Sequence, residues 1–268
     1  MVKTVRYADP TYVGDPVNVI NLFNRFEVDE IALLNIRATV DGTAMPFALM
    51  EELASECWVP LSYGGGISNL EQVRQILGLG IEKVVLGTAV ADQPELIRTV
   101  AETFGSQAVV VSVDAMQTRT GGYDVVVESA TRYLGVDPVV YALRMAAMGA
   151  GEILLNAVHR DGTMAGYDLA LIDAVSHAVD IPVIACGGAG DRRDLATPLL
   201  AGASAVGAGS LFVFQGRARS VLVNFPERGA LEAMLEPALR QRAEAQAQVN
   251  TARSDSTTRP TPLSPRPG

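Results

Sequence analysis

Short apolar runs rich in Val, Ile and Leu alternate along this chain with stretches whose apolar positions recur every three or four residues. The runs fall at residues 31–36, 58–62, 84–86, 108–113, 153–155, 181–185 and 205–208. Near-continuous runs of this kind suit strands buried on both faces, as in a parallel sheet. Between them, residues 69–79 place Leu70, Val73, Ile76 and Leu77 on one helical face, and residues 95–104, 138–148 and 169–179 keep the same period. Strict alternation of strand and helix predicts an α/β domain.

The alternation also repeats. One gapless shift superposes Pro60 on Pro182, Gly65-Gly66 on Gly187-Gly188, Gly80 on Gly202, Val84 on Val206, Gly87 on Gly209 and Thr88 on Ser210. Each copy reads as strand, glycine turn, helix, and a second strand ending in Gly-Thr or Gly-Ser. Glycines let backbone N–H groups approach an anion, so two such turns point to a ligand with a phosphate at each end. The architecture is therefore two similar halves. Seven strands are countable where a closed (β/α) barrel needs eight, and the deficit lies at the N-terminus. There, residues 2–15 read as a polar loop, with Gly14-Asp15-Pro16 as turn and cap before a helix at 17–26. Residues 227–248 read as a terminal helix. The barrel is thus expected over residues 1–248, and residues 249–268, rich in Ser, Thr and Pro, as a disordered tail.

A length of 268 residues fits one barrel of about 250 residues. The net charge of −9 argues against a nucleic-acid surface, so an anionic ligand must be held locally. No apolar run is long enough to span a membrane. Two cysteines and two histidines suggest a reducing, cytoplasmic compartment, and no metal site or cofactor is expected.

Active sites of (β/α) barrels lie at the C-terminal ends of the strands. Asp114 closes the run Val109-Val110-Val111-Ser112-Val113, a setting that favours a raised pKa and proton transfer; a helix cap or structural hydrogen bond is the competing reading. Asp161-Gly162-Thr163 has the same placement, and Asp41-Gly42-Thr43 echoes it in the first half. Glu30, Lys83 and Glu152 each precede an apolar strand. They form either a charged ring inside the bottom of the barrel or three solvated strand starts. His159 reads as a loop residue and Cys186 as a small buried side chain.

Longer ordered stretches carry a resemblance. Tyr63-Gly64-Gly65-Gly66-Ile67, residues 104–111, residues 149–155, Arg160-Asp161-Gly162-Thr163 with Gly166-Tyr167-Asp168, and residues 185–190 resemble the HisF family, the cyclase subunit of imidazole glycerol phosphate synthase, over residues 2–226. The resemblance implies a TIM (β/α)8 barrel of two half-barrels, its first strand missing from this chain. It also implies a ribulosyl bisphosphate substrate across the mouth and ammonia delivered by a HisH-like glutaminase docked at the bottom. Asp114 then matches the general acid. Gly66, Gly87 and Thr88 match one phosphate site, and Asp161, Gly162, Gly188, Gly209 and Ser210 parts of the other. Lys3 matches a lysine of the mobile first loop that reaches the substrate phosphate. Glu30, Lys83 and Glu152 match the ammonia gate. The second essential aspartate and the gate arginine of the family's first strand have no counterpart here, Asn35 replaces an aspartate, and His159 replaces a carboxylate. Residues 12–18 and 212–226 look more like the HisF-like proteins of surface-polysaccharide clusters. Those amidate an acetamido sugar with a glutaminase and a third, sugar-modifying protein. Delivery of ammonia is accordingly expected to outweigh acid catalysis by Asp114.

Overall fold

The structure, a computed structural model, describes residues 1–216 and 218–257. An antiparallel hairpin, β1 (Val2–Val5) with β2 (Ala8–Tyr12), leads into helix α1 (Pro16–Arg25). Next come β3 (Ile31–Leu34), α2 (Ala38–Asp41), α3 (Phe47–Glu56), β4 (Leu61–Gly64), α4 (Leu70–Gly78), β5 (Lys83–Leu86), α5 (Thr88–Asp92) and α6 (Glu95–Phe104). The second half runs β6 (Val109–Gln117), β7 (Tyr123–Val127), β8 (Arg132–Tyr133), α7 (Pro138–Ala147), β9 (Glu152–Ala157), α8 (Leu169–Ser176), β10 (Val183–Cys186), α9 (Thr197–Leu200), β11 (Ala205–Val206) and α10 (Ser210–Val213). A small pair, β12 (Phe214–Gln215) with β13 (Ser220–Val221), precedes the last helix, α11 (Arg228–Thr257).

Seven strands pair in parallel in the order β3-β4-β5-β6-β9-β10-β11. The sheet is strongly curled. Four strand steps separate β3 from β9, about 19 Å across a flat sheet. Yet one nitrogen, Lys83 Nζ, lies 2.9 Å from Glu30 at the start of β3 and 3.0 Å from Glu152 at the start of β9. Successive side chains point to opposite faces of a strand. The outward set, including Leu61, Tyr63, Val84, Leu86, Val111, Val113, Ile153 and Leu155, packs with the helices into one large core. The inward set is smaller: Val85, Val110 and Leu154, with Ile184 and Cys186, fill the space enclosed by the curl. This is an α/β fold of the TIM-barrel type.

The two halves repeat in detail. The carbonyls of Pro60 and Pro182 each accept a 2.9 Å hydrogen bond from the start of a neighbouring strand, from Ile31, the first residue of β3, and Ile153, the second of β9. Proline lacks an N–H but keeps its carbonyl, so it can open a strand without costing the sheet a bond on that side. Helices α1 and α7 both begin with an Asp-Pro pair, Asp15 capping Asn18 N–H and Asp137 capping Val139 N–H.

Several boundaries differ from those read along the sequence. Residues 2–12 form a hairpin, not a loop. Val5 pairs with Ala8, leaving Arg6 and Tyr7 as a two-residue turn with φ of 53° and 65°. Such turns normally announce themselves with Asn-Gly, and Arg-Tyr carries no such signal. Strand β4 starts after Pro60, which leaves Trp58 outside it and 78% exposed. Strand β6 runs past Asp114 to Gln117 because β7 pairs with its far end. Helix α11 continues beyond residue 248 to Thr257, past the Ala- and Gln-rich turns of residues 241–248 into residues 249–257, which are mostly weak helix formers. Residues 258–268 of the expected tail lie outside the described residues.

Strands β3 and β11 end the parallel sheet, each with one pairing neighbour among the described residues. Leu34, on the inward face beside Gly64 and Val85, is consequently 42% exposed. Edge strands open more readily than central ones. Amide hydrogen exchange in β3 and β11 is expected to run at least about tenfold faster than in β6 and β9, which have neighbours on both sides. Uniform protection across the sheet would contradict this edge assignment.

Candidate active site

Parallel pairing puts the C-terminal ends of the strands on one rim, and Asp114 stands there opposite Asn156 in the β6–β9 register. Its carboxylate accepts from Tyr7 Oη at 2.8 Å, from Asn156 Nδ2 at 3.1 Å and more weakly from Ser112 Oγ at 3.4 Å. Burial pushes the Asp114 carboxyl up to about 6, against the downward pull of these donors, and the nearby Asp161 charge adds to the rise. A carboxyl poised near neutrality can both give and take a proton under ordinary conditions.

Gly66, Gly87 and Thr88, from the ends of β4 and β5, line one pocket with Asp114. The pocket is about 100 Å³ and also takes in Tyr7, Asn35, Thr39, Glu128 and Ser129. Its shape depends on close backbone approach: at Gly65 (φ 113°) an added Cβ would overlap the Asn35 carbonyl. The β7–β8 turn closes the far wall. Glu128 N–H donates to Thr88 Oγ1 at 3.2 Å and Ser129 Oγ to the Ile36 carbonyl at 2.5 Å.

The second half gathers Lys3, Asp161, Gly162, Gly209 and Ser210. Lys3 Nζ lies 3.7 Å from Asp161 Oδ1 and directly above Gly209, where a Cβ would come within 2.7 Å of it. Gly162 (φ 72°) is where the hairpin rests, since a Cβ there would overlap the Thr4 carbonyl. Ser210 Oγ, on the residue after Gly209, is buried without a hydrogen-bond partner among the described residues. Gly188 serves the loop itself: a side chain there would run into the Gly166 carbonyl and Arg160 Cβ. Asp41 of the first-half Asp-Gly-Thr is apart from the mouth, paired with Arg37 on the exposed surface.

Three polar residues behind this rim were not legible as a group in the sequence. His159 Nε2 lies 2.9 Å from Asp168 Oδ2, and Tyr123 Oη donates to the same carboxylate at 2.9 Å. Asp168 also caps α8 through Leu171 N–H. His159 thus has a partner, nine residues on, that fastens the loop carrying Asp161. Asn156 and Tyr7 were also overlooked. Asn156 gave the same signal as Asp114, a polar residue ending an apolar run, whereas Tyr7 gave none. Cys186 is enclosed within the barrel, and burial drives its thiol up to about 12, far from a reactive thiolate.

At the opposite rim, Lys83 Nζ donates to Glu30 Oε2 at 2.9 Å and to both Glu152 oxygens at 3.0 and 3.2 Å. The three are not independent solvated strand starts. Burial alone would lower the Lys83 ammonium, but the two carboxylates outweigh it and hold the pKa above the ordinary value. The charge of the Lys83 ammonium is therefore present at neutral pH, and its contribution is lost as pH rises through that elevated value.

Because the folded-state pKa of Asp114 is raised, the fold favours the neutral acid. Stability is unaffected below about pH 4 and is progressively lost as pH climbs through about 6. Asp114→Asn is expected to stabilise the protein by roughly 1–3 kcal/mol at pH 8 and not at all at pH 4, measured by urea unfolding. A variant less stable than wild type at pH 8 would contradict the desolvation account.

The family model described as histidine biosynthesis protein matches residues 1–218. A Pseudomonas aeruginosa protein, provisionally named imidazole glycerol phosphate synthase subunit hisF2, is 45% identical over 233 residues, covering 87% of this chain and 93% of its own length. A Leptospira interrogans protein provisionally named as the HisF subunit is 41% identical over 236 residues, with the same coverage. One from Vibrio vulnificus, provisionally named hisF3, is 41% identical over 241 residues, 88% of this chain and 92% of that relative. With this rim geometry, fold and span of likeness, the chain belongs to the histidine biosynthesis protein family, as a member of its HisF branch.

Proposed function

We propose that this chain is the synthase subunit of an ammonia-channelling pair. It takes ammonia from a HisH-like glutaminase at the N-terminal rim and acts on a phosphorylated sugar-type substrate at the C-terminal rim. The observation that carries this reading is the polarity of the barrel: Lys83 clamped between Glu30 and Glu152 at one end, Asp114 at the other. Between them lie Val85, Val110, Leu154, Ile184 and Cys186. An apolar interior resists charged ammonium and tolerates neutral ammonia, so a charged cluster at its entrance is the place for selection. Exposed Trp58, at the same end as the cluster, supports a docking face there, since aromatic anchors dominate protein interfaces. The naming of the relatives as imidazole glycerol phosphate synthase subunits supports the synthase-subunit part of this reading.

Lys3, Asp161, Gly162, Gly209 and Ser210 form the second anion site in this reading, with Gly188 shaping it, and Gly66, Gly87 and Thr88 the first. Asp114 is the proton-transfer group. Its half-buried, three-donor setting gives it more weight than the sequence alone did. Asn35 lines the pocket where the resemblance expects an aspartate, so among the described residues the end of β3 offers Asp114 no second carboxylate. That favours a nitrogen transfer needing one such group, as in amidation of an acetamido sugar with a third, sugar-modifying protein, over histidine-pathway cyclisation. A scaffold that only activates a glutaminase would have no use for the poised Asp114.

Nitrogen source separates the two rims. With a glutaminase partner and either a ribulosyl bisphosphate or an acetamido-sugar phosphate as acceptor, Lys83→Ala should cut glutamine-dependent turnover at least about tenfold, while turnover on ammonium salts stays within about twofold. Asp114→Asn should abolish both. An Asp114→Asn enzyme that still converts acceptor with ammonium would sink the catalytic assignment, and equal losses on both nitrogen sources in Lys83→Ala would sink the gate.

Ser210→Ala tests the anion site more cleanly than a change at Gly188, which would distort the Gly166 backbone. Phosphate affinity, read by calorimetry, is expected to weaken at least about tenfold, the worth of one hydrogen bond to a charged group. Unchanged affinity would place the phosphate elsewhere.

A further inference from the structure

We propose that Tyr7 is a positioning residue for Asp114: from the tip of the hairpin its hydroxyl, backed by the Asn156 amide, locks the carboxylate towards the pocket of Gly66, Gly87 and Thr88. The inference rests on the reading of Asp114 as the proton-transfer group. Three observations carry it.

The first is a closed triangle of hydrogen bonds. Tyr7 Oη donates to Asp114 Oδ2 at 2.8 Å, Asn156 Nδ2 donates to Asp114 Oδ1 at 3.1 Å, and the same amide donates to Tyr7 Oη at 3.1 Å. Both carboxylate oxygens are thereby fixed, and the phenol is oriented by an acceptor role that leaves its proton for Asp114. The second is the geometry of the turn that delivers Tyr7. Arg6, Tyr7 and Asp9 all have positive φ, at 53°, 65° and 51°. Non-glycine residues adopt this region at a cost of order 1 kcal/mol each and hold it only where the surroundings over-determine it. Here the surroundings do. Arg6 N–H donates to the Asp161 carbonyl at 3.1 Å, Arg6 Nε to the His159 carbonyl at 3.0 Å, and the hairpin backbone lies on Gly162. The third is placement: Tyr7 is itself a wall of the pocket that holds Asp114 and the first-half glycines.

The charged and titratable groups around Asp114 come from several elements. Tyr7 reaches it from the hairpin, Asp161 lies in the loop after β9, Lys3 on β1 is paired with Asp161, and Cys186 and Tyr141 approach from β10 and α7. Of these, only Tyr7 donates a hydrogen bond to the carboxylate, so its removal should act on Asp114 specifically. Loss of a donor to the ionised form raises the affinity for a proton.

The test is a titration of the Asp114 side-chain carboxyl by carbon-13 NMR in the full chain, the resonance being identified by its loss in Asp114→Asn. Tyr7→Phe is expected to move the midpoint upward by about one pH unit. The pH limb of kcat/KM on ammonium salts should move with it. Arg6→Ala removes only the guanidinium bond to His159; the backbone bond to Asp161 and the seat on Gly162 still hold the turn and the phenol, so the midpoint should stay unchanged. An unmoved midpoint in Tyr7→Phe, or an equal shift in Arg6→Ala, would overturn the proposal, the latter by showing that hairpin docking and not the hydroxyl is responsible. If Asp114→Asn keeps full activity while Tyr7→Phe still shifts the titration, the assignment of Asp114 fails and the Tyr7 contact stands.

Discussion

Parallel pairing in one curled sheet is the constraint on which everything else in this molecule depends. It sends every strand's C-terminal end to one rim and every N-terminal end to the other. The turns that follow the strands, with their glycines and Asp114, are therefore brought together although they lie far apart along the chain. The residues that precede the strands, Glu30, Lys83 and Glu152, meet at the opposite end for the same reason. Curling is what makes these encounters possible, because a flat sheet would hold Glu30 and Glu152 several strands apart.

The two rims use charge differently. At the N-terminal rim one ammonium serves two carboxylates, a part-buried arrangement whose attraction offsets much of the desolvation it incurs. At the C-terminal rim a single carboxylate is held by neutral donors. Desolvation wins over them and keeps its proton affinity near neutrality. Stability is given up at that position at neutral pH, which is the cost of holding a carboxylate out of water.

The repeat is exact where backbone geometry decides and relaxed where side chains do. Prolines opening β4 and β10, Asp-Pro helix starts and the glycine turns recur in both halves. The surroundings diverge: the first-half pocket is closed by the β7–β8 turn with Ser129, while the second half is covered by the hairpin with Lys3 over Gly209. A duplicated scaffold thus carries two equivalent glycine turns with different lids.

Much of this was legible in the chain itself. Apolar runs of strand length gave the parallel strands β3, β4, β5, β6, β9, β10 and β11, because a strand buried on both faces must be apolar throughout. The offset of the glycine turns gave the two halves, and the polar residue ending Val109–Val113 gave Asp114. The hairpin, the β7–β8 extension and the true start of β4 were hidden, since edge and surface pairing leaves little periodic trace and the Arg6-Tyr7 turn lacks the residues such turns prefer. Only the tertiary structure could decide that Glu30, Lys83 and Glu152 form one cluster, that His159 pairs with Asp168, and that Tyr7 sits on Asp114. The sequence determined the local elements, whose signals lie within a few residues of one another. Contacts across 53, 69 and 107 residues depend on how the sheet closes, which no local pattern records.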